Sequence, residues 1–132
     1  MARHQVVLLI AGDGLIRKVT AAGLEMYGFE VLTADHGKQA AEMLRGTKRI
    51  NVLVTNADLG GPIDGLAIAR LAREMNPDIE VIYSSRTPQR IPFDAMVHSA
   101  PTLRDPYHPH QLVGVINHLR HRSPETAGST AA

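Results

Sequence analysis

Four polar side chains follow apolar runs of this chain, where a strand would end and its last residues would face a crevice. Asp13 follows residues 6–11, Asn56 follows 52–55, Ser85 follows 80–84, and Asp105 follows the weakly apolar stretch 101–104. Asp58 lies two residues past Asn56 in the same loop. If these loops share one edge, Asp13, Asp58 and Asp105 form an acidic pocket, and convergent carboxylates are what a hard cation such as Mg²⁺ requires. Each also has a plain structural role open to it. Asp13 precedes a helical pattern and would serve equally as its N-cap, the turn preference of Asp suits Asp58 to capping a loop, and Ser85 is also an ordinary strand-end hydroxyl. Asn56 is chemically different, because its carboxamide is neutral and its nitrogen lone pair is delocalised, so it cannot form an acyl phosphate as a carboxylate does. Arg104 adjoins Asp105, but neighbouring side chains on a strand point to opposite faces, so it is a poor source of balancing charge. His108, His110, His118 and His121 crowd the last helical segment, and His118 with His121 have the i, i+3 spacing that suits Zn²⁺ or Ni²⁺. With no carboxylate or Cys beside them the expectation is a solvated face, since metal sites need three or four convergent ligands.

The elements that would carry these residues alternate strictly. Residues 6–11 read as a strand buried on both faces, closed by Gly12-Asp13-Gly14. Leu15, Val19, Ala22 and Met26 recur at helical spacing, with Gly28 where a left-handed C-cap belongs. A strand over 29–33, a short helix over 38–45 and a strand over 52–55 follow. A Gly/Pro-rich loop over 58–64 leads to a helix over 66–75, and a strand over 80–84 comes next. Pro88 and Pro92 interrupt the fourth helix, which should be short or irregular. A weak strand near 101–104 precedes a helix from Pro109 to about Arg120, whose inward stripe is expected to be Leu112, Val115, Ile116 and Leu119. Five βα units force parallel pairing through right-handed crossovers and are too few for an eight-fold barrel. The predicted fold is α/β: a flavodoxin-like, doubly wound five-stranded parallel sheet of order 2-1-3-4-5, with its site outside the carboxyl ends of the strands. Residues 1–122 form the expected domain, and 123–132 read as a flexible tail.

Composition narrows the function classes. The 132 residues suffice for one core, and 14 Lys plus Arg against 13 Asp plus Glu, without a run of like charges, argue against a nucleic-acid partner. With 0 Cys there is neither a disulfide framework nor a thiolate site, which suits a reducing cytoplasm. The longest apolar run is too short for a bilayer, and no export pattern precedes it. Neither Gly-x-Gly-x-x-Gly nor a P-loop follows the first strand, and no nucleophile has an adjacent base, so a small-ligand module is a distant reading and an enzyme is not expected.

From about Val6 to Arg120 the chain resembles the receiver domains of two-component response regulators. The resemblance rests on Leu15-Ile16-Arg17, Gly28-Phe29-Glu30-Val31, Ile63-Asp64-Gly65, Val81-Ile82-Tyr83-Ser84-Ser85 and Leu103-Arg104-Asp105-Pro106-Tyr107, in the family's order. The loop over 60–65 and the Pro-broken fourth helix look most like a single-domain bacterial subgroup. The resemblance implies a CheY-like fold in which two carboxylates after the first strand and one after the third hold Mg²⁺, and the third takes phosphate from a histidine kinase. A hydroxyl after the fourth strand and a Lys after the fifth then bind the phosphate oxygens.

Against that pattern, Gly12 replaces one of the paired acids and leaves Asp13 alone, Asn56 stands at the phosphoacceptor, and Asp105 stands where the Lys belongs. Ser85 matches the switch hydroxyl, while Thr102 occupies the place of the family's aromatic switch residue. Tyr107 is expected to pack rather than signal. The reading is a pseudo-receiver that signals by contact with a protein partner such as a histidine kinase or another regulator, with a Mg²⁺ site at Asp13 that is weak or absent. The alternative is a working phosphoacceptor that uses Asp58. A partner or homodimer surface is expected on the irregular fourth helix, the last strand and the last helix, with Val113 lying off the inward stripe.

Overall fold

The computed structural model describes residues 5–121, so the expected tail at 123–132 lies outside the described residues. Strands β1 (Val6–Ile10), β2 (Glu30–Ala34), β3 (Val52–Asn56), β4 (Glu80–Ser85) and β5 (Thr102–Arg104) form one sheet in the order β2-β1-β3-β4-β5. Every pairing is parallel. Helices α1 (Gly14–Met26), α2 (Gly37–Arg45), α3 (Gly65–Met75) and α4 (Pro109–His121) make the crossovers. This is the predicted flavodoxin-like arrangement. The fourth crossover consists of two 3₁₀ turns, Pro88–Arg90 and Phe93–Ala95, where Pro88 and Pro92 deny a longer helix its backbone donors. Arg70 and Arg73 of α3 donate to the carbonyls of Ala95 (3.3 Å) and His98 (2.9 Å), and the amide of Val97 donates to the buried Tyr83 hydroxyl at 3.0 Å. These bonds hold the irregular segment to the body of the protein.

Strand alternation divides the core into two layers. Leu8 and Ile10 of β1, with Leu53 and Val81, face α2 and α3 through Ala40, Ala41, Ile68 and Ala72. Val7 and Leu9, with Val52, Val54 and Ile82, face α1 and α4 through Leu24, Leu112, Ile116 and Leu119. The central strands therefore read as continuous apolar runs, because both of their faces are covered.

Helices α1 and α4 depart from the patterns that mark them in the sequence. Leu15, Val19 and Met26 of α1 are 73%, 54% and 87% exposed, whereas Thr20 and Leu24 are the buried residues. Close approach of α4 explains the choice of small and hydrogen-bonding residues on the inner side. A Cβ on Gly23 would lie 2.5 Å from the Pro109 Cβ, and Thr20 hydrogen-bonds the Tyr107 hydroxyl just before α4. In α4 the expectation for Val113 is corrected: it is buried at 6% exposure in the core layer shared with α1. The helix is wedged between β-sheet and α1, so its covered arc is wider than one stripe and takes in Val113 with Leu112 and Ile116, while Val115 is only partly buried.

Candidate functional site: the crevice at the strand ends

At the carboxyl ends of β1, β3, β4 and β5 lies a crevice of about 1010 Å³ whose floor and rim include Asp13, Asn56, Asp58, Ser84, Arg86 and Asp105. Register brings them together: Asn56 pairs with Ser84 across β3 and β4, and Ser85 pairs with Arg104 across β4 and β5. The backbone is tightly fitted beneath it. A Cβ on Gly65, at the start of α3, would lie 2.0 Å from the Asn56 carbonyl oxygen, so only glycine lets α3 begin this close to the end of β3.

Asn56 bridges two loops. Its Nδ2 donates to Asp105 Oδ2 at 3.2 Å, and its Oδ1 accepts the Asp58 amide at 2.7 Å, an Asx turn that curls the loop back over the strand end. That curl aims the Asp58 carboxylate across the crevice at β4. Asp58 Oδ1 accepts from the buried Ser85 hydroxyl at 2.9 Å, and Oδ2 accepts from the Arg86 amide at 2.9 Å. Ser85 Oγ in turn accepts the Thr87 amide at 3.0 Å. Asp58 stays exposed to solvent at the loop surface, yet both of its carboxylate oxygens accept bonds from the chain after β4, so it ties the β3–α3 loop to that segment.

Asp13 serves as the N-cap of α1, its Oδ1 accepting the amides of Leu15 and Ile16 at 3.0 Å each. Arg17 Nη1 donates to the Ala11 carbonyl at 2.6 Å, fixing the same turn from the other side. Asp105 is the carboxylate under most electrostatic stress. Burial raises its pKa above the ordinary value, the nearby Asp58 charge raises it further, and the Ser84 hydroxyl, the Arg86 charge and the Asn56 amide oppose the rise.

The structure brings Asp13, Asn56, Asp58 and Asp105 to one crevice; the hydroxyl that lines it is Ser84, while the expected switch hydroxyl, Ser85, is fully buried beneath and meets the crevice through its bond to Asp58. Arg104 is exposed at the rim; the cation that acts on Asp105 is Arg86. Sequence reasoning passed over Ser84, Arg86 and the Thr20–Tyr107 bond. The Ser84-Ser85-Arg86 run held the available signal, because alternation sends Ser84 and Ser85 to different sides of β4 and each can then meet a different carboxylate. Tyr107 packs against the α1/α4 core layer, and burial, with the Asp105 charge adding, pushes its pKa up to about 12.

As a Mg²⁺ cage the donor set fits poorly. One oxygen of Asp13 is committed to a helix cap, both oxygens of Asp58 accept protein hydrogen bonds, the central acceptor is an amide, and Gly12 offers no side-chain oxygen. Among the described residues, no group of three or more His, Cys, Asp and Glu is placed to hold a metal ion. His108 and His110 contact each other edge to face at 5.6 Å, and the His110 amide donates to His108 Nδ1.

Comparison with known proteins agrees with the geometry. Residues 7–100 match the model of the response regulator receiver domain. The response regulator receiver protein CpdR of Brucella abortus (strain 2308) is 28% identical over 116 residues, covering 86% of this chain and 94% of that protein. A response regulator receiver protein from Sinorhizobium medicae WSM419 superposes with a TM-score of 0.78 at 25% identity, covering 89% of this chain and 94% of its own. The Vibrio cholerae chemotaxis protein CheY4 shares the fold with a TM-score of 0.77 at 18% identity, over 88% and 98% of the two chains. With the family pattern matched over most of its length, and the sheet, crossovers and crevice in place around it, this chain belongs to the response regulator receiver domain family.

Proposed function

We propose that this receiver domain is a two-component signalling module that acts through protein contact without phosphorylation of its own crevice, and that it is not an enzyme. The observation that carries this reading is the Asp58 latch. In the family the hydroxyl after β4 binds the oxygens of an incoming phosphoryl group; in this chain that hydroxyl, Ser85, and the following amide already donate to the Asp58 carboxylate. Asp58 is therefore read as a permanent internal stand-in for the phosphoryl oxygens. Asn56 offers no acyl-phosphate chemistry. Asp105, whose Oδ2 accepts from the Asn56 Nδ2, puts negative charge where an arriving phosphate would need positive charge.

The partner is a histidine kinase or another regulator protein, and the 0 Cys composition suits work in the reducing cytoplasm. Among the described residues no helix is long and apolar enough to cross a membrane. A second copy of the chain is a further candidate partner.

Incubation with a small phosphodonor and Mg²⁺, read by intact mass, tests the proposal. Wild type is expected to gain no phosphate. Asn56→Asp is expected to raise Mg²⁺ affinity by adding a hard-cation ligand beside Asp13, yet to phosphorylate poorly. Asn56→Asp with Asp105→Lys should accept phosphate better, because an attractive charge replaces a repulsive one. A phosphorylated wild type whose modification vanishes in Asp58→Asn would overturn the reading, since the acceptor would then have moved two residues along the loop.

A further inference from the structure

The outer face of α1 carries a heptad seam that nothing in the described chain covers. Leu15, Val19, Ala22 and Met26 are spaced 4-3-4, the d-a-d-a spacing of a two-stranded coiled coil. All four are exposed. The b and f positions that lie opposite this seam are Thr20 and Leu24, the residues α1 buries against the protein. The helix is thus apolar on two sides at once, one used by the fold and one left free. Ile16 at 49% and Tyr27 at 57% exposure widen the free side.

Flanking charges indicate what covers it. Lys18 and Glu25 are seven residues apart, so both occupy g positions on one flank of the seam. Both are exposed, and neither belongs to an ion pair among the described residues. In a parallel pair a g residue faces an e′ residue, and the e positions here are Ile16 and Gly23, which carry no charge. In an antiparallel pair g faces g′, so Lys18 meets Glu25 of the second copy and Glu25 meets its Lys18. The apolar layers close in the same register, with Leu15 over Met26 and Val19 over Ala22, each repeated by the two-fold axis. Such a contact is isologous and stops at two chains.

We propose that this receiver domain self-associates through α1, as an antiparallel two-helix pair in which Leu15, Val19, Ala22 and Met26 form the seam and Lys18 pairs with Glu25 of the second copy. Leu15, Ile16 and Val19 also line the crevice, so the pair would cover part of its rim. A 13-residue helix is only about 20 Å long, so the contact is small and the dimer weak and concentration-dependent.

Sedimentation equilibrium over a concentration series tests it with the full chain. Wild type should show a monomer–dimer equilibrium. Lys18→Glu should weaken association roughly tenfold or more, because two attractive pairs become two repulsive ones. Lys18→Glu with Glu25→Lys should restore it to near the wild-type value, a rescue that an unrelated partner helix would not produce. Val19→Glu should abolish dimers, while circular dichroism and the melting temperature stay at wild-type values because the position is on the free face. A wild type still monomeric at about 1 mM, where the association free energy falls to about 4 kcal/mol, would overturn the proposal. So would a dimer indifferent to Lys18→Glu, or a loss that the double reversal fails to rescue.

Discussion

Helices α1 and α4 have the same length of 13 residues, lie side by side on one face of the sheet and contribute to one core layer, yet their apolar residues are used in opposite ways. In α4 the apolar positions Leu112, Val113, Ile116 and Leu119 all go inward. In α1 Leu24 goes inward with Thr20, while Leu15, Val19 and Met26 stay in solvent. The helix contact itself accounts for the asymmetry. Where α1 meets Pro109 there is room for a glycine and a hydroxyl but not for a row of large side chains, so the bulk of the shared layer comes from α4 and the strands. Periodicity reports that a helix has an apolar side; it does not report which neighbour that side meets.

The largest effects should come from exchanging the roles of equivalent residues. Val113→Asp puts a charge into the shared layer without a partner, and should cost about 3 to 5 kcal/mol and unfold the domain rather than merely alter its contacts. Leu24→Ala and Ile116→Ala should each cost about 2 to 5 kcal/mol by leaving cavities. Leu15→Ala and Met26→Ala, on the free face of α1, should change stability by less than about 0.5 kcal/mol. Urea melts of the monomer followed by circular dichroism separate these classes, and a cost of several kcal/mol at Leu15 would reverse the assignment of faces.

Alkaline titration probes the hydroxyl contact between the helices. Burial raises the Tyr107 phenol to about 12 in the folded protein, against the ordinary tyrosine value of 10.0. The folded state therefore holds this proton more tightly than the unfolded state. The stabilisation is present below pH 10 and is lost as pH rises towards 12, by at most about 2.7 kcal/mol over the two pH units. Tyr107→Phe should remove that slope from the stability profile. A phenol absorbance transition at the ordinary tyrosine pH that is present in wild type and missing in Tyr107→Phe would mean that the ring is not packed between α1 and α4 as described.

Two glycines offer a smaller and cleaner contrast. Gly23 of α1 faces Pro109, whereas an added Cβ on Gly114 of α4 meets nothing within 4 Å. Gly114→Ala should stabilise by about 0.5 to 1 kcal/mol, the ordinary gain of replacing a helical glycine. Gly23→Ala makes the same chemical change and should destabilise by about 1 to 3 kcal/mol, because the new methyl must push the helices apart. Equal shifts of melting temperature would remove the argument that helix proximity sets the inner face of α1.

The sequence by itself determined the order of elements, the parallel sheet and the location of the crevice. Those follow from local chain properties: apolar runs such as 6–11 covered on both faces, prolines at 88 and 92 that forbid a long helix, and the rule that a parallel crossover is right-handed. The amide at Asn56 and the missing acid at Gly12 were equally legible, because they concern residue type at a strand end. Tertiary structure alone decided which atoms answer one another. The Asp58 carboxylate reaches Ser85 and Arg86 because an Asx turn on Asn56 curls the loop, and that depends on the register of β3 against β4. The burial of Val113 and the exposure of Leu15, Val19 and Met26 were decided the same way, by which helix lies against which. Spacing along one chain fixes directions around a helix axis, and only the packing of neighbours turns those directions into inside and outside.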